Sequence, residues 1–87
     1  MRKRVVVHGY VQGVFFRDSL RRLAERQNAS GWARNRLDGT VEAVFEGSDE
    51  AVARLVEFAH AGPRGARVEQ VEVFTEETEG LSGFDIR

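Results

Sequence analysis

"SGWARNRLDGTVEAVFEG", Ser30 to Gly47, holds two strand-like runs, "GWARN" and "GTVEAVFEG", on either side of an Asp38-Gly39 pair. Asp-Gly between alternating apolar runs is a strong short-range hairpin signal, so this stretch predicts two antiparallel strands. In the second run Val41, Ala43 and Phe45 alternate with Glu42, Val44 and Glu46. One face is therefore predicted buried, and Val44 gives the other a mixed character.

Helical periodicity appears on both sides of this hairpin. Downstream, Ser48 is a suitable N-cap, and Asp49 and Glu50 match the positive end of a helix dipole. Val52, Leu55, Val56 and Ala59 recur at helical spacing until Gly62 and Pro63 stop the helix. Upstream, Phe16, Leu20, Leu23, Ala24 and Gln27 share one face, with Asp18, Arg21, Arg22 and Glu25 opposite. This helix is expected to run to about Gln27, with "NASG" ending it. Outside the helices lie further strands: Lys3 to about His8 in "KRVVVHGYV", then "ARVEQVEVFTEE", then a short one in "GFDIR". The order β-α-β-β-α-β plus a short last strand predicts an α+β, ferredoxin-like two-layer sandwich. Right-handed crossovers would put both helices on one face of an antiparallel sheet. No linker or repeat divides residues 1–87, so a single domain is expected.

The chain has 87 residues and no cysteine, which excludes disulfides, Fe–S clusters and thiolate zinc sites. No apolar run approaches the roughly 20 residues of a membrane span. The start, "MRKRVVVHGYV", is too soon broken by His8 and Gly9 for a signal peptide, so a cytoplasmic protein is expected. The net charge of −1 is unevenly spread. Residues 1–43 carry nine Lys and Arg against four acids, and residues 44–87 carry four Arg against ten acids. A basic half suits an anionic ligand, although solvated helix and loop faces explain the same asymmetry.

Two stretches carry chemistry. In "GYVQGVFFR", Gly9 to Arg17, the glycines permit backbone turns in which successive N–H groups converge on an anion. Arg17 stands at the start of the first helix, where the dipole also favours negative charge, and a planar guanidinium grips two phosphate oxygens at once. The stretch has neither the Gly-Lys-Ser/Thr ending of a nucleotide P-loop nor the dinucleotide glycine spacing. Read alone, it is equally a tight strand-to-helix turn with an exposed arginine. Asn35, just before the hairpin turn, carries an amide able both to donate to and to accept from a water; its alternative role is to stabilise its own turn.

Together these stretches resemble the acylphosphatase family: "GYVQGVFFR" is similar to one family signature, and "GWARN…DGTVEAVFEG" to a second. "GPRGARVEQVEV" and the closing Phe84-x-Ile86-Arg87 also resemble family segments, so the similarity covers essentially the whole chain. The resemblance implies hydrolysis of an acyl phosphate to carboxylate and orthophosphate, with no metal and no cofactor. It matches Arg17 to the phosphate-binding arginine and Asn35 to the asparagine that orients the attacking water. It implies a phosphate cradle at Val11, Gln12, Gly13, Val14, Phe15 and Phe16, with Phe16 also anchoring the loop to the core. It further implies a small-molecule acyl phosphate as partner, with phosphate or sulfate as product or competitor. Nothing in the sequence demands more than a monomer, and neither a nucleic-acid nor a membrane partner is expected. Three positions depart from the usual family pattern: Ala33, Arg36 and Leu37. Arg36 and Leu37 bear on the rigidity of the hairpin that holds Asn35.

Other polar residues are assigned bland roles. His8 and His60 lie on separate elements and make no metal site. Ser19 has no histidine partner for nucleophilic work. Asn28-Ala29-Ser30 matches a glycosylation acceptor by coincidence, and Glu76, Glu77 and Glu79 read as a solvated turn. Trp32 and the phenylalanines are assigned to packing. The rival class is a non-catalytic anion-binding or RNA-binding module of the same topology. Against RNA stand the acidic C-terminal half and the absence of an aromatic RNP1-type motif.

Overall fold

In a computed structural model covering residues 1–87, the elements follow as β1 (Arg2–Tyr10), α1 (Phe16–Arg26), β2 (Ser30–Asn35), β3 (Val41–Glu46), α2 (Asp49–Ala61), β4 (Arg67–Glu76) and β5 (Phe84–Ile86). The strands form one sheet in the order β4-β1-β3-β2-β5. β1 lies antiparallel between β3 and β4, and β2 is antiparallel to β3, with Asn35 opposite Val41 at the hairpin end. This is the expected sandwich with one departure. β5 runs parallel to β2, Gly31 opposite Phe84, so the sheet is mixed.

Each element forms for a local reason. Ser48 Oγ accepts a hydrogen bond from Ala51 N–H at 3.1 Å, capping α2, and Gly62 at φ 74° ends it. The α1 stripe buries Phe16, Leu20 and Ala24, and Leu23 packs at its margin. These side chains meet Val5 and Val7 of β1, Val41, Ala43 and Phe45 of β3, and Val52, Leu55 and Ala59 of α2 in one apolar cluster. Burial of each Val, Leu or Phe side chain in this cluster stabilises the fold by about 1.5–3 kcal/mol. Phe16 sits edge-on to Phe58 with ring centroids 6.4 Å apart, fixing the first turn of α1 to α2.

β1 extends two residues past its expected end, and a register shift against β4 falls between His8 and Gly9. Gly9 serves that pairing, not anion binding: a Cβ there would lie 2.1 Å from the Arg67 carbonyl oxygen.

β3 is buried on both faces, Glu42 and Glu46 included. Arginines and a strap of chain cover its outer side. Arg4 and Arg34 reach Glu42, and Arg2 reaches Glu46, Glu76 and Glu79. Glu76 also pairs with Arg4, so Glu76 and Glu79 are structural partners and not the solvated turn expected. The Glu46 carboxylate accepts from the main-chain N–H groups of Glu79, Gly80 and Leu81. Burial alone would raise its pKa; those N–H groups and the Arg2 guanidinium prevail and hold it down at about 2. Glu46 thus fastens the connection that carries β5 to the far edge of the sheet.

Candidate active site

The loop between β1 and α1 needs a sharp turn, and two residues supply positive φ: Gly13 at 77° and Phe15 at 61°. Phe15 takes the left-handed conformation directly before the helix and leaves its side chain 81% exposed, while Phe16 is buried. The consecutive aromatics divide the work, one tying the loop to the core and the other facing outward. The main-chain N–H groups of Val11, Gln12, Gly13, Val14 and Phe15 donate to no other protein group. The first N–H beyond the loop with a backbone acceptor outside regular pairing is that of Ser19, bonded to Phe15 O at 3.0 Å. An α-helix start leaves its own first N–H groups free as well. The result is a dense set of unpaired donors at the positive end of α1.

A cavity of about 240 Å³ opens at this junction, lined by Val11, Gly13, Phe15, Phe16, Arg17, Asp18, Asn35 and Ile86. It brings together two groups separated by a helix and a strand, Arg17 and Asn35. Arg17 Nη1 donates to the main-chain oxygen of Arg87 at 3.0 Å, leaving the rest of its donor fork unused. Asn35, the last residue of β2, is exposed, and its side-chain amide is free of protein partners. The turn-stabilising role open to Asn35 is taken instead by Asp38, whose Oδ1 accepts from Thr40 N at 3.0 Å and Thr40 Oγ1 at 2.6 Å. Those bonds hold the Asp38 carboxyl below the usual carboxylate value.

Two of the residues expected in the cradle do not line the cavity. Val14 packs against the core, and the Gln12 side chain turns to the hairpin. Three contributors were not anticipated. Asp18 lines the wall with its carboxylate held by Arg21 and Arg22. Ile86 and the Arg87 oxygen arrive with β5, whose pairing to β2 brings the chain end beside Arg17. The chain end pairs beside the hairpin strand, a placement that the sequence reading left open.

The family model described as Acylphosphatase matches residues 3–86. The chain belongs to the acylphosphatase family. Curated acylphosphatases include one from Rubrobacter xylanophilus, 59% identical over 87 residues that make up 99% of this chain and 79% of that protein. Another, from Thiobacillus denitrificans, is 57% identical over 93% of this chain and 90% of its own length. The crystal structure of acylphosphatase from Bacillus subtilis superposes with a TM-score of 0.93 at 34% identity, covering 99% of this chain and 97% of that one. Hydrolysis of acyl phosphates is the activity of this acylphosphatase family, and the chain is a hydrolase of that kind with a small-molecule substrate. No helix is long and apolar enough to cross a membrane.

His8 and His60 stay apart from this acylphosphatase site. His8 Nε2 lies 2.9 Å from Glu72 Oε1 on the outer sheet face, and His60 Nδ1 lies 3.0 Å from the Val56 carbonyl on α2.

Proposed function

We propose that the cavity holds the phosphoryl group of an acyl phosphate, with Arg17 and Asn35 as the catalytic residues. The observation that carries this is that Val11, Gly13, Phe15, Arg17 and Asn35 line one cavity, while the loop N–H groups, most of the Arg17 fork and the Asn35 amide have no protein partner. In this reading the loop amides from Val11 to Phe15 and the Arg17 guanidinium bind the equatorial phosphoryl oxygens. Asn35 orients a water in line with the scissile P–O bond. The water oxygen bonds to phosphorus as that bond breaks, and its electron pair leaves with the carboxylate. A carboxylate is a good leaving group, with a pKa of about 4, so protonation by a strong general acid is dispensable. Asp18 is occupied by two arginines, which leaves a phosphoryl oxygen of the substrate to take the water's proton. Catalysis then rests on position and charge, as a loose phosphoryl-transfer transition state requires, and no metal takes part.

Residues 1–87 act as one monomeric domain in this reading, in the cytoplasm, with phosphate or sulfate as competitive ligands. An RNA-binding role is disfavoured on the outer sheet face. There the Arg4 guanidinium lies 4.4 Å from the Phe74 ring centroid and the Arg87 guanidinium 4.6 Å from that of Trp32, so each ring already carries a cation where a base would stack.

The experiment is hydrolysis of benzoyl phosphate in the presence of EDTA. The wild type is expected to turn over, and Arg17→Ala and Asn35→Ala to lose about 10²–10³-fold in kcat/KM while remaining folded. A folded wild type with no rate above the uncatalysed one ends the proposal.

A further inference from the structure

Gln12 was expected to serve the phosphate through its main-chain amide, but its side chain does something else. Gln12 Nε2 donates to the Arg36 carbonyl at 2.8 Å and to the Thr40 carbonyl at 3.0 Å. A carboxamide has two N–H bonds, and both acceptors are carbonyls, so the two donors and two acceptors match and only the NH2 end can face them. These are the only hydrogen bonds joining the β1–α1 loop to the β2–β3 turn.

The two carbonyls are also the ones that close the turn. Thr40 O accepts from Arg36 N at 2.9 Å, and Arg36 O accepts from Gly39 N at 3.1 Å. Each therefore receives one bond from within the turn and one from Gln12. Arg36 directly follows Asn35, and Asn35 has no side-chain partner to hold it. The distance between the phosphate-facing loop and the Asn35 amide is set by backbone, and Gln12 is the cross-tie.

We propose that Gln12 is a positioning residue: its side chain locks the loop that binds the phosphoryl group to the hairpin that presents Asn35, and it acts on catalysis through Asn35. This rests on the roles proposed above for Arg17 and Asn35. In-line attack demands close placement of water and phosphorus, and a displacement of about 1 Å is worth up to about 10²-fold in rate. Holding the two parts together raises kcat, whereas the affinity of the loop for phosphate alone depends on the loop and Arg17.

The test is a double-mutant cycle on benzoyl phosphate with Gln12→Met, which keeps the length and removes both donors, and Asn35→Ala. Inhibition by inorganic phosphate is measured alongside. Gln12→Met is expected to lower kcat by about 10- to 100-fold in the wild-type background and by less than about twofold in the Asn35→Ala background. The phosphate inhibition constant is expected to move by less than about threefold, because the loop donors remain. Equal losses in the two backgrounds, or a loss confined to phosphate affinity, would overturn the proposal, since a merely structural role is additive. Gln12→Asn, one methylene short, is carried through the same cycle in case the methionine variant does not fold. A folded wild type without turnover overturns the catalytic reading and this one with it; additivity in an active enzyme overturns this one alone.

Discussion

Arg2 and Arg17 are both arginines at element starts, and the protein uses them in opposite ways. Arg2 is buried at 7% exposure, and its three nitrogens are all engaged: Nε with Glu76 at 3.0 Å, Nη1 with Glu46 at 2.8 Å and Nη2 with Glu79 at 3.1 Å. Arg17 makes one protein hydrogen bond and lines an open cavity. Its neighbours follow suit, with five loop N–H groups and the Asn35 amide unpaired, whereas the buried Glu46 carboxylate beside Arg2 accepts from that guanidinium and from three main-chain donors. Polar groups satisfied within the fold stabilise it and have nothing left for a ligand. Unsatisfied donors gathered at one opening are available to bind an anion, and solvent meets their needs meanwhile.

The sharpest way to break this contrast is to exchange the two effects. Arg2→Ala leaves the buried Glu46 carboxylate without its cation, a change that costs about 3–5 kcal/mol of folding stability. Urea unfolding should show that loss, while kcat on benzoyl phosphate, measured where the variant is folded, stays within about threefold of wild type. Arg17→Ala should do the reverse. Its loss of about 10²–10³ in kcat/KM corresponds to about 2.7–4 kcal/mol of transition-state stabilisation, with an unfolding midpoint close to wild type. A large stability loss at Arg17, or a large rate loss at Arg2, would remove the division between the two regions.

Acid sharpens the comparison from the other side. The folded-state pKa of Glu46 is depressed from 4.5 to about 2, and that of Glu76 is also lowered, chiefly by its hydrogen bonds from Arg4 and Arg2. A depressed carboxylate contributes stability that is complete above its unfolded value and is lost as pH falls through the folded one. Unfolding free energy should therefore be flat with respect to these groups above about pH 5.5 and decline between 4.5 and about 2. Glu46→Gln removes the largest of these titrations, so its stability should fall less steeply across that window. An unchanged slope would mean that the strap over β3 is not held by a charged Glu46.

Much of this contrast was invisible along the chain, and the reasons are physical. Periodicity locates α1 and α2 because each buries one stripe, and Asp38-Gly39 locates the hairpin because its turn chemistry is local. Arg17 and Asn35 stand at the ends of such elements, so topology alone brings them together. The pairs around Arg2 join residues up to 77 positions apart, and nothing near Glu76 or Glu79 in sequence shows what they meet. β5 has only three residues, too few for a pattern, and its direction depends on the path of the strap that Glu46 fastens. Gly9 had two roles open to it, and only the approach of the Arg67 carbonyl decides between them. The Gln12 side chain was concealed by its own motif, since an amide beside a glycine loop suggests a ligand contact before a cross-tie.

The smallest expected effect probes the strain on the open side of the comparison. Phe15 is a non-glycine residue held at φ 61°, ψ 29° with most of its side chain in solvent. The left-handed conformation costs an L-residue about 1–2 kcal/mol, and replacing the side chain by hydrogen adds about 0.5–1 kcal/mol of backbone entropy to the unfolded chain. The balance predicts that Phe15→Gly stabilises the protein by about 0.5–1 kcal/mol, read as a higher urea midpoint at unchanged m. No comparable gain is available around Arg2, where every substitution removes a partner. A destabilised Phe15→Gly would show that the exposed ring contributes packing the fold depends on, and the open side would then be less open than its unpaired donors indicate.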